Sequence, residues 1–357
     1  MTMADNPGSG IDAFDGLEPV DHPGAWRAAD FADLGSISFE LESRHLRALD
    51  RALAAARATG RPIETLRRED FPLAGIHEDL ESIRERVQNK SGIVLLRGLP
   101  VSRYSRDDLC RMFWGLGTHF GHAVSQSLMG DRLGHVTNVS GDNPAERGYR
   151  SRRELNMHTD SDDLLMMLCL RNAKRGGQSR FVSALTVYNE LLNSHPECLA
   201  PLMRGFRYHW RGEQAEGEDP ITRFRVPVFS HCKGALSCVF LRAFIDMAAE
   251  ELGEPLSGEE KTALDTFEAL CERADLQLAI NLKPGDAYLV NNYTTLHSRT
   301  AFVDHERAED RRYLLRLWLK AVNGRPVVDA VRRFYRDDGI TERENAGTMY
   351  LHAHAHS

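Results

Sequence analysis

Residues 155–161 read Leu-Asn-Met-His-Thr-Asp-Ser, and the rest of the chain is arranged around this stretch. If the stretch is extended, side chains two residues apart project from the same face. The imidazole of His158 and the carboxylate of Asp160 can then converge on one point, which is half of a metal site. A lone His-x-Asp pair is common by chance, and its alternative role is a polar strand end bonded to neighbours or water.

A second stretch supplies a third candidate ligand. Residues 284–286 read Pro-Gly-Asp, which is a turn signal, and the residues that follow alternate as in a strand. His297 lies just past that strand. Two histidines and one carboxylate on one face of an Fe(II) ion form the facial triad of non-haem oxygenases, which leaves positions open for a cosubstrate and O₂. The pattern therefore predicts a metal centre at His158, Asp160 and His297.

Two arginines further on point to an anionic ligand. In the segment 312–316, which reads Arg-Tyr-Leu-Leu-Arg, period-two alternation places Arg312 and Arg316 on the same face. Arg311 points the other way. Two guanidinium groups on a face flanked by apolar residues need an anionic partner, because a buried unpaired charge is costly. A dicarboxylate would serve.

Taken together, these elements resemble the HxD…H…R signature of Fe(II)/2-oxoglutarate-dependent dioxygenases of the taurine dioxygenase-like (clavaminate synthase-like) family. The matching residues are 158–160, the distal His297 and Arg312. The stretch 176–179, Gly-Gly-Gln-Ser, resembles the family's Gly-Gly-x-Thr/Ser turn. The resemblance covers roughly residues 90–320.

The resemblance implies a mainly β fold with flanking helices: a double-stranded β-helix (jelly-roll, cupin-like) barrel with a helical insertion between the metal-ligand strands. It implies Fe(II), with 2-oxoglutarate as cosubstrate held by Arg312 and Ser179, and O₂. The reaction would hydroxylate or desaturate an unactivated C–H bond and release succinate and CO₂. Asp160 stands where related halogenases carry a small residue, which favours hydroxylation over chlorination. The gap from His297 to Arg312 is longer than in taurine dioxygenase, so Arg316 is the alternative anchor for 2-oxoglutarate.

Five residues are expected on the side of the prime substrate. Arg316 is the candidate for an anionic group of that substrate, and Tyr149 lies in a polar stretch at residues 140–154 that is a candidate lid. The expected set is Arg316, Gln126, His122, Tyr149 and Asn292. Each of these residues has an ordinary structural alternative, such as an ion pair or a satisfied polar side chain. A taurine-like sulfonate, an amino acid derivative and a secondary-metabolite intermediate all remain open as substrates.

The composition is that of a globular protein. The chain has 357 residues, 42% hydrophobic and 27% charged, with a net charge of −7 and no long run of one sign. Nothing therefore points to nucleic acid as a partner. No apolar run reaches membrane-spanning length, and residues 1–10 lack the pattern of a secretory signal. The six cysteines show no CxxC spacing and are expected to be reduced. We expect a cytoplasmic protein that binds a small molecule and allow for a homodimer.

The chain is expected to form one catalytic domain with two appendages. Residues 1–35, rich in Pro, Gly and Asp, predict an extended arm. A single dioxygenase domain would span residues 36–325, with its core at about 90–320 and a helical insert at about 186–275. Residues 326–357 would form a C-terminal helix and tail. Apolar spacing predicts helices at Phe39–Ala58, His77–Val87, Ser105–Leu116, Val187–Leu192, Leu199–Met203, Phe244–Leu252, Glu259–Cys271 and Val327–Tyr335.

Two functions of other classes compete with the oxygenase. The same three ligands could hold zinc in a hydrolase on a cupin-like barrel, with a metal-bound water as nucleophile. The arginine pair and the Gly-Gly-x-Ser turn argue against this, because hydrolysis has no need of a dicarboxylate pocket. The second alternative is a non-catalytic barrel that binds a small acid, and the intact triad argues against that.

Overall fold

The structure is a computed structural model, and it describes residues 17–138 and 151–343. The α-helices in these ranges are α1 (Ser43–Ala58), α2 (His77–Asn89), α3 (Arg106–Gly117), α4 (Ala184–Ser194), α5 (Leu199–Arg204), α6 (Arg242–Leu252), α7 (Gly258–Cys271) and α8 (Asp329–Tyr335). The strands are β1 (Ser38–Glu40), β2 (Ile93–Arg97), β3 (Gly121–Ala123), β4 (Leu133–Thr137), β5 (Leu155–His158), β6 (Leu164–Arg171), β7 (Arg175–Gly176), β8 (Ser179–Ser183), β9 (Phe229–Cys232), β10 (Ala235–Cys238), β11 (Leu278–Ile280), β12 (Ala287–Asn291), β13 (Thr295–Arg299), β14 (Phe302–Val303) and β15 (Tyr313–Ala321).

Two sheets carry the fold. The larger has seven strands in the order β1-β2-β12-β6-β15-β3, with β4 also paired to β15. The smaller has four strands in the order β11-β8-β13-β5. The chain is therefore mainly β with flanking helices, as predicted.

The two faces of the larger sheet bury different layers, because successive strand residues point to opposite sides. On β15, Leu315, Leu317 and Leu319 join a core with helices α1, α2 and α3. Leu314 and Trp318 point the other way, into a core shared with residues of the smaller sheet. This second core lies between the sheets; the same face of β15 carries Arg316, and Arg312 lies just before the strand.

The insertion is less helical than predicted. The four predicted helices are present as α4 to α7, but the antiparallel hairpin β9–β10 lies among them. Its two-residue turn, Lys233-Gly234, has φ of 48° and 80°, which is the left-handed backbone that tight hairpins use. A Lys-Gly pair is a weaker turn signal than Asn-Gly, and the prediction missed it.

The N-terminal region differs from the predicted extended arm. From residue 17 onward it packs on the domain: Trp26 is buried, and its indole N–H donates to the carbonyl of Ser91 at 2.8 Å. Residues 1–16 lie outside the described ranges. The first helix begins at Ser43 and not at Phe39, because Ser38–Glu40 pairs in parallel with β2.

The six cysteines form no disulfide, and five of them are buried. Among the helices of the described ranges, none has both the length and the apolar character needed to cross a bilayer.

Candidate metal centre

Antiparallel pairing of β5 with β13 places His297 directly opposite His158. Asp160 follows His158 by two residues, just beyond the end of β5. Its carboxylate oxygens lie 3.8 Å from His158 Nε2 and 3.6 Å from His297 Nε2. One potential ligand atom from each of the three residues lies within 4.8 Å of the others. The structure thus brings together all three residues that the sequence predicted as metal ligands.

The local contacts of His158 fix the tautomer that a metal ligand needs. Its Nδ1 lies 2.7 Å from the backbone carbonyl of Asn156. Because a carbonyl only accepts, Nδ1 carries the proton and Nε2 keeps its lone pair. Burial, and then the neighbouring His297, lower the pKa of His158 to about 4. The imidazole is therefore neutral at physiological pH.

Asp160 is held as a carboxylate. Burial on its own would raise the pKa of Asp160, but the guanidinium of Arg316 and the ring of His297 outweigh it and hold this pKa well below the usual range. Arg316 Nη1 lies 3.6 Å from Asp160 Oδ2. The indole N–H of Trp318 donates to the same oxygen at 2.9 Å. One oxygen of Asp160 is thus oriented by protein donors, as carboxylate ligands of metals commonly are.

The donor set fits a first-row divalent ion. An ion about 2.1 Å from three ligands at right angles sets them about 3 Å apart, and the two measured separations from Asp160 are 3.6 and 3.8 Å. Small side-chain shifts would therefore close the site. Two imidazoles and one carboxylate form the facial triad of Fe(II) oxygenases. His297 Nδ1 is buried and has no hydrogen-bond partner among the described residues.

Arg316 is oriented by side chains on both sides. Its Nε donates to Gln126 Oε1 at 2.7 Å. Its guanidinium carbon lies 4.7 Å from the ring centroid of Trp318, which is the geometry of a cation–π contact. Together with its approach to Asp160, these contacts place a fixed positive charge beside the metal centre.

Arg312 has a different environment. It is 5% exposed, and its Nη1 has no hydrogen-bond partner among the described residues. Burial lowers the pKa of Arg312. The guanidinium lies over the ring of Phe302, 5.2 Å from the centroid. A buried cation with an unused donor is costly unless it meets an anion.

The Gly-Gly-Gln-Ser turn lies against Arg312. Gly177 has φ of +74°, which favours glycine, and a Cβ there would lie 3.0 Å from Arg312 Nε, so the turn passes close to this side chain. Ser179, at the start of β8, is buried, and its side chain lies near the hydroxyl of Tyr288, which is also near Arg312. Ser179 and Arg312 therefore lie in the same part of the inter-sheet core.

Three of the residues predicted on the substrate side have other roles. Gln126 is buried, and its side chain is used in holding Arg316. Asn292 is fully buried, accepts a hydrogen bond from the backbone N–H of Asp160 at 3.2 Å and donates to Asp162. His122 is exposed on the short strand β3. It lies opposite Lys320, which is four residues beyond Arg316 on β15, and it is not part of the metal-ligand cluster.

The structure shows these three residues in other contacts, and their contact with substrate stays a prediction. Tyr149, and most of the predicted lid at residues 140–154, lie outside the described residues.

Two residues at the site were missed. Trp318 shares the face of Arg312 and Arg316 on β15, so the same period-two argument could have found it. Tyr288 lies on β12, in the stretch that follows the Pro-Gly-Asp turn, and burial raises its pKa. No signal in the sequence marked its hydroxyl as facing Ser179.

Two proteins of known name are similar to this chain over most of its length. FR-33289 synthase of Streptomyces rubellomurinus (strain ATCC 31215) is 32% identical over 314 residues, which cover 86% of this chain and 92% of that protein. Taurine hydroxylase-like protein SAT17 of Stachybotrys chartarum (strain CBS 109288 / IBT 7711) is 27% identical over 307 residues, covering 82% and 77%.

Solved structures share the fold. Asparagine oxygenase in complex with Fe(II), 2S,3S-3-hydroxyasparagine and succinate has a TM-score of 0.62 and 18% identity, with 80% of this chain and 93% of that chain covered. Non-heme iron oxygenase OrfP in complex with Fe and alpha-ketoglutaric acid has a TM-score of 0.59 and 13% identity, with 80% and 94% covered.

The sequence profile of the family described as taurine catabolism dioxygenase TauD, TfdA matches residues 58–318. That range contains the metal-ligand cluster, both buried arginines and the Gly-Gly-Gln-Ser turn. The predicted family is therefore confirmed: the chain belongs to the TauD, TfdA family, and it is a dioxygenase.

Proposed function

We propose that this protein is an Fe(II)- and 2-oxoglutarate-dependent oxygenase that hydroxylates, or desaturates, an unactivated C–H bond of a small anionic organic substrate. One observation carries the proposal: His158, Asp160 and His297 converge beside two buried arginines. His158, Asp160 and His297 would hold the iron. When bound, iron and 2-oxoglutarate supply an O₂-derived oxidant, with release of succinate and CO₂.

The residues around the ligands prepare the site before any metal arrives. The bond from His158 Nδ1 to the carbonyl of Asn156 leaves Nε2 ready to bind, and the low pKa keeps the ring unprotonated. Trp318 and Arg316 keep Asp160 ionised and oriented. The buried core between the sheets excludes water from the reacting region.

Arg312 would anchor the distal carboxylate of 2-oxoglutarate. Its planar fork matches a carboxylate, its Nη1 has no partner among the described residues, and Ser179 supplies a hydroxyl nearby. A zinc hydrolase would leave this buried charge unexplained, because it has no dicarboxylate to bind.

The positions of the two arginines separate their roles. Arg316 approaches the metal ligand Asp160, whereas the guanidinium of Arg312 lies over the ring of Phe302, beside Gly177. A keto acid that chelates a metal through its 2-oxo end extends its other carboxylate away from the metal. We therefore assign the distal carboxylate to Arg312, whereas Arg316 would meet an anionic group close to the metal.

The substrate we propose is a small organic acid. Arg316 places a positive charge beside the metal, which favours an anionic group in the substrate. The comparisons support small polar substrates, since the solved structures of the same fold include complexes with hydroxyasparagine and hydroxyarginine. An amino acid derivative, a sulfonate and a phosphonate all fit this description.

The wider architecture belongs to the same proposal. The two facing sheets would form a double-stranded β-helix, or jelly roll, and residues 36–325 a single domain with an insert between the two ligand strands. Six free cysteines are typical of a reducing compartment, which supports a cytoplasmic location.

A substrate screen tests the function. The protein, reconstituted with Fe(II), is supplied with 2-oxoglutarate and a panel of amino, sulfonic and phosphonic acids, while succinate release and oxygen uptake are followed. We expect at least one acid to stimulate both in equal amounts. Metal-dependent hydrolysis of a panel compound without consumption of 2-oxoglutarate would favour the hydrolase instead.

A further inference from the structure

Residues 336–343, which we call the strap, follow α8 and lie outside residues 58–318 that the family profile matches. The strap runs beside the turn at residues 124–131. Ser125 N donates to the carbonyl of Asp338 at 3.1 Å, and Ile340 N donates to the carbonyl of Ser125 at 3.0 Å. These two hydrogen bonds form a short parallel bridge between Ser125 and Gly339.

The close approach at this bridge depends on a glycine. Gly339 has φ of +76°, and a Cβ there would lie 2.3 Å from the carbonyl oxygen of Ser125. Real Cβ atoms do not come so near to a backbone oxygen, so any other residue would push the strap away from Ser125.

The strap is also fixed further along. Arg343 N donates to the carbonyl of Leu128 at 2.8 Å, and the Arg343 guanidinium donates to the carbonyl of Gln214 in the insert. Gly339 and Ile340 of the strap line a small cavity together with Trp318, and Ile340 packs against the core that contains Trp318. The strap is therefore packed against the turn, the insert and the metal side of β15.

The residue after Ser125 links the strap to the site. Gln126 Oε1 accepts from Arg316 Nε at 2.7 Å, and Gln126 Nε2 donates to the carbonyls of Arg132 at 2.7 Å and Arg316 at 3.1 Å. The side chain fits because residue 134 is glycine: a Cβ there would lie 2.7 Å from Gln126 Oε1. The amide of Gln126 is thus locked, and its acceptor fixes the direction of Arg316.

The direction of Arg316 matters because an arginine side chain has many rotamers. If the guanidinium is already held in the direction of the anion, less side-chain entropy is lost when the anion binds. Arg316 Nη1 lies 3.6 Å from Asp160 Oδ2. A shift of the Gln126 turn would rotate this guanidinium away from the metal side.

We propose that the strap is a positioning element of the active site: by pairing with Ser125 it fixes Gln126, which aims Arg316 at the anion bound beside the metal. The anion is a carboxylate or similar group of the keto acid or of the prime substrate. The catalytic consequence rests on the proposed function, but the positioning does not.

Two truncations test the positioning directly. Ending the chain after Asp337 removes residues 338–343 of the strap but keeps Tyr335. The Tyr335 hydroxyl lies 3.1 Å from Thr159 Oγ1, and Thr159 is the residue between His158 and Asp160. Ending it after Arg343 keeps the strap and is the matched control. The readout is the Nε–H resonance of Arg316 in metal-free, ¹⁵N-labelled protein, identified by its loss in Arg316→Lys.

The expected result is a resonance protected from exchange in the full chain and in the longer truncation. In the shorter truncation and in Gln126→Met its exchange with solvent should quicken about tenfold or more. An unchanged resonance in the shorter truncation, with loss in Gln126→Met, would overturn the role of the strap. Protection retained in Gln126→Met would overturn the whole pathway.

A point substitution covers the case in which truncation unfolds the protein. Gly339→Ala should expose Arg316 Nε–H in the same way. Gly234→Ala is the control, because Gly234 has a similar φ of +80° but a Cβ added there would meet no other atom within 4 Å. Equal effects of the two alanines would contradict the proposal. Since none of these readouts needs metal or turnover, their failure is distinct from a failure of the oxygenase assignment.

Discussion

Arg312, just before β15, and Arg316, within it, lie four residues apart in the chain, but their environments differ. Arg316 is bonded to Gln126, stacked on Trp318 and directed at Asp160. Arg312 is equally buried but has an unused Nη1 donor within the described residues. The first is organised by the protein alone, whereas we propose that the second binds 2-oxoglutarate. Residues 312–316 thus carry both a fixed charge beside the candidate metal ligands and a guanidinium with an unused donor.

The largest effect is expected when the carboxylate that would bind the metal and that Arg316 approaches is removed. Asp160→Ala deletes a metal ligand and leaves Arg316 without its carboxylate. We expect affinity for Fe(II) or Mn(II), titrated without oxygen, to fall at least about a hundredfold. The control is Asp265→Ala, which removes an exposed acid bonded to Arg242 on the surface. Metal affinity retained in Asp160→Ala would mean that the ligand is assigned wrongly.

The next prediction separates the two arginines. Arg312→Met removes a charge-assisted pair worth about 1.5–3 kcal/mol, so the dissociation constant of 2-oxoglutarate should rise roughly ten- to hundredfold. Calorimetry on the Mn(II)-loaded protein measures it. Arg316→Met is the matched variant, with the smaller expected loss. If Arg316→Met weakens 2-oxoglutarate more than Arg312→Met does, the two roles are exchanged.

A smaller loss of affinity for 2-oxoglutarate is expected when the hydroxyl of Ser179 is removed. Ser179→Ala removes one neutral hydroxyl donor, worth about 1 kcal/mol, so 2-oxoglutarate should bind roughly three- to tenfold more weakly. Ser179→Thr keeps the hydroxyl and should bind within about twofold of the unaltered protein. Equal binding by all three proteins would place the distal carboxylate elsewhere.

The last prediction concerns the dependence of stability on pH. The pKa of His158 is about 4 in the folded, metal-free protein and about 6.5 in an unfolded chain. The unfolded state therefore binds more protons in this window, and the free energy of unfolding should decrease as pH falls from about 6.5 to 4.

Chemical denaturation at several pH values measures this slope. In His158→Gln, which cannot titrate, the slope should be shallower. An unchanged slope would show that His158 does not titrate at a lowered pKa in the folded protein.

The sequence predicted the parts of the site that rest on strand periodicity. The spacing of two between His158 and Asp160, and the alternation around Arg312, follow from the geometry of any strand. The pairing that brings His297 opposite His158 joins residues far apart in the chain. The resemblance to a known family supplied that part, and the family is confirmed.

The remaining predictions depended on contacts that a single sequence does not encode. Gln126 and Asn292 are polar and near the site, but whether such a side chain binds substrate or supports a neighbour depends on what packs against it. Here Arg316 and the backbone of Asp160 take up their hydrogen bonds. The strap could not be predicted from the sequence for the same reason, because Gly339 is required only where Ser125 lies beside it.

The oxygenase assignment depends most on an iron site that receives a keto acid. Its most direct test is the visible absorption of the Fe(II)-loaded protein when 2-oxoglutarate is added without oxygen. We predict a weak charge-transfer band that saturates with 2-oxoglutarate in the unaltered protein and needs a higher concentration in Arg312→Met. A solution that stays colourless at full iron occupancy would contradict the account.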